Sequence, residues 1–328
     1  MAELADDFFG LARNPRWAEM ADAPYEEGMV FPWTVGHFQK FLKESGLRVA
    51  LGEVTRILGA MEHVGLLISG GFDLTSALGG HVYFGNRGSR SQRQGGGRLW
   101  LSEVFGAELI IPLYRQVTAQ ITGYPAVPDA DQQWGTGLIL DKSHMLTNKH
   151  VVEGMRRDLG VICPPQPFDL NGRRDIHLHC HDELDVAVVE LKLDDSDAGF
   201  KPLPGMVFRD PHWADETYVF GYPRVPMTAE MAITVQRGEV VNPKTETMPR
   251  RDPIFLYSAI ARPGNSGGPI VAGDGRVIGM VVEDCSETQS SDGTPSAAPF
   301  YRGIPSSEIF RALDDLGLVG LARFESWD

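Results

Sequence analysis

The feature that most constrains the fold is a series of short strand-like segments, separated by turn residues, in the later part of the chain. Each is a short apolar run bounded by Gly, Pro, Asn or Asp, which is typical of β-strands. Many short strands over roughly 200 residues indicate a sandwich or a pair of barrels. The predicted strands are Thr136–Asp141, Met145–Thr147, Val186–Leu191, Thr217–Gly221, Ile254–Ser258, Pro269–Val271 and Val277–Val282. A helix from Pro305 to about Leu316 is expected to close the chain.

The earlier part of the chain is predicted to be mostly helical. Thr34 can cap one helix, and residues 51–61 show the apolar spacing of a second. Two short strands are expected to follow, at 66–68 and 81–84. This order of elements resembles a winged helix, in which the second helix would be the recognition helix.

A Pro- and Asp-rich segment, YPAVPDAD at 124–131, indicates a linker or an entry strand between these two parts. We therefore predict a mostly helical regulatory or adaptor domain over 1–122 and a β-rich domain over 123–328. The second domain is expected to fold alone. The fold class is α+β, multidomain, and mainly antiparallel β.

Three fragments carry side chains that together can activate a nucleophile. TNKHVV contains His150, LDVAVVEL contains Asp185 and GNSGGP contains Ser266. A serine hydroxyl needs a neighbouring base, and histidine suits because its pKa lies near the working pH. A carboxylate on the other ring nitrogen fixes the tautomer. We predict Ser266 as nucleophile, His150 as general base and Asp185 as its orienting group, with Asp182 as the rival for that last role.

The glycines around the serine let the backbone turn tightly, so that backbone amides can converge on one point. We predict an oxyanion hole from the backbone of Gly264, Asn265 and Ser266, chiefly the amides of the first and the last.

The chain order His, Asp, Ser is that of the two-barrel proteases. The three fragments in this order resemble trypsin-like serine peptidases of the HtrA type, and the resemblance covers about 125–316. It implies two six-stranded antiparallel barrels of the chymotrypsin type, with the triad in the cleft between them. It also implies hydrolysis of a protein substrate through an acyl-enzyme, without a cofactor. Two departures are Lys149, where the family usually has a small residue, and the expected lack of a PDZ domain after the closing helix.

The resemblance also implies substrate-binding residues. Met280, Val281, Val282 and Glu283 match the family's substrate-pairing strand, and Tyr301, Arg302 and Gly303 match its pocket wall. Ile260 stands where the family places the pocket floor, which favours a small or apolar P1 residue.

Net charge and segment composition exclude several other classes. The net charge of −14 argues against a bulk nucleic-acid binder. The first residues lack the basic and apolar regions of a secretory signal, and no apolar run of about 18 residues predicts a membrane span. The cysteines number only three, which is too few for a disulfide framework. We expect a cytoplasmic protein, controlled by its N-terminal domain or by a protein partner.

The segment IHLHCH at 176–181 raises the question of a metal. In a strand, His177, His179 and His181 would share one face, and histidines at that spacing can bind zinc. A solvent-facing strand of polar residues is the favoured explanation of the pattern, and this protease chemistry needs no metal. We therefore predict no metal site.

An arginine-rich loop over 85–98 offers a second class of function. Arg87, Arg90, Arg93 and Arg98 cluster there with no acidic residue between Asp73 and Glu103, so a wing could contact phosphates. Glu53 and Glu62 on the predicted recognition helix disfavour a major-groove reader. The alternatives for the N-terminal domain are nucleic-acid binding, docking of a partner protein, and a loop that is a cleavage site. The alternative for the whole chain is a nucleic-acid- or protein-binding adaptor that carries a regulated or inactive protease domain.

Overall fold

The computed structural model describes residues 1–74, 79–86, 96–124, 131–155, 176–193, 199–228, 232–282 and 300–325, and the backbone alone at 157–163 and 166–168. The chain divides into two compact units, Met1–Gly95 and Gly96–Asp328. In these described ranges, no helix combines the length and the apolar character needed to cross a bilayer.

The first unit contains the predicted helices and hairpin. Its elements are α1 (Ala2–Phe8), α2 (Pro15–Ala21), α3 (Val35–Glu44), α4 (Leu51–His63), β1 (Leu67–Phe72) and β2 (His81–Gly85), with β1 antiparallel to β2. Thr34 caps α3 as predicted. Its hydroxyl accepts from the His37 amide at 3.2 Å, while its own amide donates to Nδ1 of His37 at 3.1 Å. This reciprocal pair satisfies two amides at the helix start.

An aromatic core holds the first unit together. The Phe8 ring lies 4.6 Å from Trp33 and 5.1 Å from both Phe38 and Phe41, measured between ring centroids. The buried Trp33 indole donates to the Pro24 carbonyl at 2.9 Å. The unit therefore has an apolar core of its own. The order α3, α4, β1, β2 is that expected of a winged helix, and that assignment stays a prediction.

The second unit begins with a 3₁₀ turn, Leu99–Leu101, and ends with a helix. Its other elements are α5 (Ser102–Phe105), α6 (Ala107–Tyr114), β3 (Thr118–Tyr124), β4 (Gln133–Ile139), β5 (His144–Thr147), α7 (Lys149–Glu153), β6 (Arg157–Cys163), β7 (Gln166–Phe168), β8 (Ile176–Cys180), β9 (Ala187–Leu191), β10 (Glu216–Gly221), β11 (Thr234–Glu246), β12 (Pro253–Tyr257), β13 (Pro269–Ala272), β14 (Val277–Val282), β15 (Tyr301–Pro305) and α8 (Ser306–Asp315).

These strands form two antiparallel sheets, which confirms the predicted fold class. Strands β10–β15 close a six-stranded barrel in the order β10-β11-β12-β15-β14-β13. The other sheet has seven strands, in the order β7-β6-β3-β4-β5-β9-β8, rather than the six that were expected. Buried residues of both sheets and of α8 form one continuous apolar core, with Leu146, Val188, Phe220 and Ile309 among them.

The division between the units lies earlier than the predicted boundary at 122/123. Strand β3, which that boundary would cut, pairs with both β4 and β6 inside the seven-stranded sheet. The residues just before β3 also pack in the core of the second unit, through Leu99, Ile110 and Tyr114. The Tyr114 hydroxyl donates to the Gly275 carbonyl at 2.8 Å, and burial raises the pKa of this phenol. Residues 96–122 therefore belong to the β-rich domain.

Candidate active site

The imidazole of His150 is held by a carboxylate in two ways. His150 lies in the short helix α7, directly after the strand β5. Its Nδ1 is 2.6 Å from Oδ2 of Asp185, and its backbone amide donates to Oδ1 of the same carboxylate at 2.9 Å. Because both oxygens are used, the carboxylate fixes the position of the helix start as well as the ring. Nε2 is then the ring nitrogen left for a nucleophile.

Asp182, the rival for this role, contacts α7 through its backbone. Its backbone carbonyl accepts a hydrogen bond from Nζ of Lys149 at 3.2 Å. The side-chain amide of Asn148 donates from Nδ2 to the backbone carbonyl of Asp185 at 2.9 Å. The residues that flank His150 on its N-terminal side thus tie α7 to the turn that carries the orienting carboxylate. Lys149, the departure from the family pattern, is part of this tie.

That turn connects β8 to β9 and is organised by His181. The His181 amide donates to the Val186 carbonyl at 3.0 Å, which closes the turn. Nδ1 of its buried ring accepts from the amides of Glu183 and Leu184, at 3.1 and 2.9 Å. Since Nδ1 accepts, the ring proton is on Nε2, which donates to Asp315 at 3.1 Å. His181 therefore positions the turn rather than joining the other two histidines of IHLHCH.

Ser266 lies in the tight loop before β13 and is buried at 1% exposure. Two glycines of this loop have left-handed backbone angles, with φ of +99° at Gly264 and +82° at Gly267. Only glycine adopts these angles readily. A Cβ at Gly264 would also lie 2.5 Å from the Tyr222 carbonyl, and one at Gly267 would clash with the Thr136 carbonyl. Both glycines are therefore required by backbone angle and by space.

Strand β4 of the other sheet fixes this loop through one residue, Thr136. Its amide donates to the Ser266 carbonyl at 2.8 Å. Its hydroxyl donates to the Gly264 carbonyl at 2.7 Å and accepts from the Tyr222 amide at 3.0 Å. Thr136 is fully buried, so these bonds form away from water. The two residues predicted to supply the oxyanion amides are thus both bound by Thr136, one through its side chain and one through its backbone, and sequence reasoning gave this residue no role.

The predicted contribution of Asn265 to the oxyanion hole is wrong. Its amide donates to the Arg262 carbonyl at 2.9 Å, in the turn that precedes the serine. A backbone amide has one proton, so this one is not available for an oxyanion. The amides of Gly264 and Ser266 stay the predicted pair.

Residues 135–280, which contain the whole triad, match the family model of the trypsin-like peptidase domain. Residues 135–280 thus correspond to a trypsin-like peptidase domain. The chain is 29% identical over 212 residues to a protein of Arabidopsis thaliana described as mitochondrial Do-like protease 12, which covers 61% of this chain and 41% of the relative. It is 28% identical over 176 residues to the chloroplastic protease Do-like 1 of the same plant, which covers 53% and 38%. The chain therefore spans about two fifths of the length of these curated relatives.

Two solved structures are also similar to the chain. The serine endoprotease from Yersinia pestis is 20% identical with a TM-score of 0.46, and the match covers 64% of this chain and 66% of that one. The HtrA-type protease AlgW with a tripeptide is 18% identical with a TM-score of 0.48, covering 63% and 62%.

Two residues of the predicted substrate-pairing strand, Met280 and Val281, are already paired within the barrel. The amide of Val281 donates to Gly268 at 2.9 Å and its carbonyl accepts from Gly267 at 3.1 Å, so its backbone is already paired. Met280 pairs with β13 on one side and β15 on the other. Neither residue can therefore pair with a substrate. Val282 pairs with Arg302 of β15 and stands at the end of β14, and Glu283 lies outside the described residues.

The predicted pocket residues are divided between packing positions and the surface. Gly303 serves the barrel core, because a Cβ there would lie 2.5 Å from the Phe255 ring. The Tyr301 ring stacks on Tyr257 at 6.1 Å, and Arg302 is partly buried; their role in a pocket stays a prediction. Ile260 is 43% exposed, which is not the buried position of a pocket floor.

A cavity of about 240 Å³ adjoins the imidazole and the oxyanion loop. Its lining is both polar and apolar and comes from the β4 and α7 regions and from the nucleophile loop. The lining residues are Gln132, Gln133, Trp134, His150, Val151, Met155, Pro263 and Gly264. It shares no residue with β14 or β15. Since those strands were predicted to bind the acyl side of the substrate, the hypothesis for this cavity is that it takes the leaving-group side.

One arginine of the predicted nucleic-acid contact, Arg98, lies in the part of the chain that the structure describes. Arg87, Arg90 and Arg93 lie outside the described residues. Arg98 is exposed and belongs to the second unit, directly before the 3₁₀ turn. It is therefore not part of the β1–β2 hairpin.

Proposed function

We propose that the chain is a serine endopeptidase that hydrolyses peptide bonds of protein substrates through an acyl-enzyme. The observation that carries this proposal is the pair of hydrogen bonds between Asp185 and His150, at 2.6 and 2.9 Å, together with the cavity that His150 shares with Gly264 of the loop containing Ser266. A carboxylate that binds Nδ1 keeps the proton there, and this leaves Nε2 as the base. The match of residues 135–280 to the peptidase family supports the same chemistry.

Acylation follows from this arrangement. The Ser266 hydroxyl adds to the substrate carbonyl carbon while Nε2 of His150 takes its proton. Negative charge develops on the carbonyl oxygen, which the amides of Gly264 and Ser266 stabilise. The imidazolium, stabilised by Asp185, then gives its proton to the leaving amine. The C–N bond breaks, and the acyl group stays on the serine oxygen.

Deacylation repeats these steps with water as the nucleophile. The amine product leaves, and a water molecule takes its place beside His150. Nε2 removes a proton from this water as it adds to the ester carbonyl. The second tetrahedral intermediate collapses, the serine oxygen recovers its proton, and the acid product is released.

We infer further that the residue after the scissile bond is apolar. The leaving-group cavity beside His150 has Trp134, Val151 and Met155 among its lining residues. Burial of an apolar side chain there would contribute about 25 cal/mol per Å² of area removed from water. For the residue before the bond, the predicted preference for a small or apolar side chain rested on Ile260 as the pocket floor, and the 43% exposure of Ile260 removes that support.

Hydrolysis of internally quenched peptides by tag-free, full-length protein tests the proposal. The wild type is expected to cleave within the peptide, and Ser266→Ala to lose activity by several orders of magnitude. Ser45→Ala, an exposed serine in the first unit, is the matched control and should cleave as the wild type does. An inactive wild type that is folded would instead support the adaptor reading, in which the peptidase domain is regulated or inactive.

We also propose that the first unit regulates the peptidase domain, through a protein partner rather than nucleic acid. Support comes from its separate compact core and from the position of the triad, which lies entirely in the second unit. A cytoplasmic location stays a prediction. Pull-down with the full chain, with and without nuclease treatment, distinguishes a protein partner from nucleic acid.

A further inference from the structure

The hairpin that carries the orienting carboxylate has a second cluster of chemically active side chains. His177 and His179 occupy alternate positions of β8, and alternate side chains of a strand share one face. The antiparallel register with β9 places Glu190 directly opposite His177. Two imidazoles and one carboxylate therefore lie on the same face of the β8–β9 hairpin.

The three side chains are close enough to bind one ion. Nε2 of His179 is 2.8 Å from Oε2 of Glu190, and the rings of the two histidines are 5.7 Å apart between centroids. One ligand atom from each residue lies within 4.8 Å of the other two. In a tetrahedral zinc site, bonds of about 2.0–2.2 Å place the ligand atoms about 3.3 Å apart. Small side-chain rotations would bring these atoms to that spacing.

We propose that His177, His179 and Glu190 form a binding site for a divalent transition-metal ion of the Zn²⁺ class. Imidazole with a carboxylate is the ligand set that such ions prefer, whereas Ca²⁺ and Mg²⁺ prefer oxygen ligands alone. Three protein ligands leave the fourth position to water or to a group from another molecule. This differs from the sequence-based expectation of no metal. The third ligand comes from the neighbouring strand, whereas His181 is committed to its turn.

One neighbouring group competes with the ion. Nζ of Lys192 is 3.0 Å from Oε1 of Glu190, and its side chain is 54% exposed. The ion would bind Oε2 and replace the hydrogen bond from His179, whose proton moves to Nδ1. Lys192 then lowers the affinity for the ion, because its positive charge repels the ion while its ammonium group stays bonded to Oε1 of Glu190. The ion would link β8 to β9 on either side of the turn that contains Asp185.

Calorimetric titration of the tag-free full chain with Zn²⁺ tests the site. We expect one ion per chain, and a loss of at least tenfold in affinity for His177→Gln. His177 is exposed, so this variant is expected to fold normally. His63→Gln, an exposed histidine of α4, is the matched control and should bind as the wild type does. Lys192→Gln should bind more tightly, an effect that a merely structural lysine would not produce.

Three results would overturn the proposal. The first is a wild-type chain that takes up no Zn²⁺ in the micromolar range. The second is a His177→Gln chain with wild-type affinity and stoichiometry. The third is loss of binding in His150→Gln but not in His177→Gln, which would place the ion at the catalytic imidazole.

Discussion

Replacing Thr136 by Val tests whether β4 aligns the oxyanion loop. Valine keeps the shape of the side chain and removes only the hydroxyl. That hydroxyl donates to the Gly264 carbonyl at 2.7 Å and accepts from the Tyr222 amide at 3.0 Å. The variant therefore leaves two buried backbone groups without their partner.

The size of the effect follows from these two bonds. Each unsatisfied buried group costs about 1–3 kcal/mol. A loop that can rearrange will recover part of this free energy by turning the Gly264 carbonyl elsewhere. This changes the backbone angles of Gly264 and so displaces its own amide, one of the two predicted oxyanion donors. If about 2 kcal/mol falls on the catalytic conformation, kcat drops roughly 30-fold, because about 1.4 kcal/mol corresponds to a factor of ten. KM should change little, since the lost interaction acts on the transition state.

Thr118→Val is the matched control for this change. Thr118 is also buried in a strand, and its hydroxyl donates to the Tyr114 carbonyl at 2.8 Å. Both variants should unfold at lower temperature, but only Thr136→Val should lose kcat. Steady-state kinetics and thermal unfolding of the two proteins side by side decide the matter. Equal kcat in both, with equal losses of stability, would refute the alignment role of Thr136.

Further predictions concern the orienting carboxylate, the cavity and the domain boundary. Asp185→Asn should lower kcat by about 10⁴ with the fold intact, because His150 loses its orienting carboxylate, whereas Asp182→Asn should keep the wild-type kcat. If peptide hydrolysis were instead lost in Asp182→Asn and kept in Asp185→Asn, the choice of Asp185 as the orienting residue would be wrong. Trp134→Ala should change the ratio of kcat/KM for two peptides, one with a large and one with a small residue after the scissile bond, by about tenfold. An unchanged ratio would show that the side chain of that residue binds outside the cavity. A chain that begins at Gly96 should fold cooperatively, and one that begins at Gly123 should not, because β3 is cut; circular dichroism during heating distinguishes them.

Features that depend on local sequence could be predicted. The helix starting after Thr34 has its capping residue and its apolar spacing within a few positions, and the structure agrees with it. GNSGGP likewise contains the glycines that its own turn requires. The preference for Asp185 over Asp182 also came from a local signal, the apolar strand that starts directly after it.

Features that depend on pairing between distant parts of the chain could not be predicted from the sequence. Strand β11 covers 13 residues, although its sequence shows little alternation of apolar and polar residues. It forms because its two edges pair with β10 and β12. The use of the Asn265 amide by Arg262 and the commitment of the Val281 backbone become visible only in three dimensions. The same holds for Glu190, which meets His177 through strand register alone.

The most direct test of the account is the site of covalent labelling by a fluorophosphonate. This probe reacts with a serine only where the hydroxyl is activated by a base and the oxyanion is stabilised. Mass spectrometry of the labelled, digested full chain should find one adduct on the peptide that contains Ser266, and none in Ser266→Ala or His150→Ala. A folded wild-type chain that stays unlabelled, or an adduct that persists in Ser266→Ala, would contradict the assignment of Ser266 as an active nucleophile.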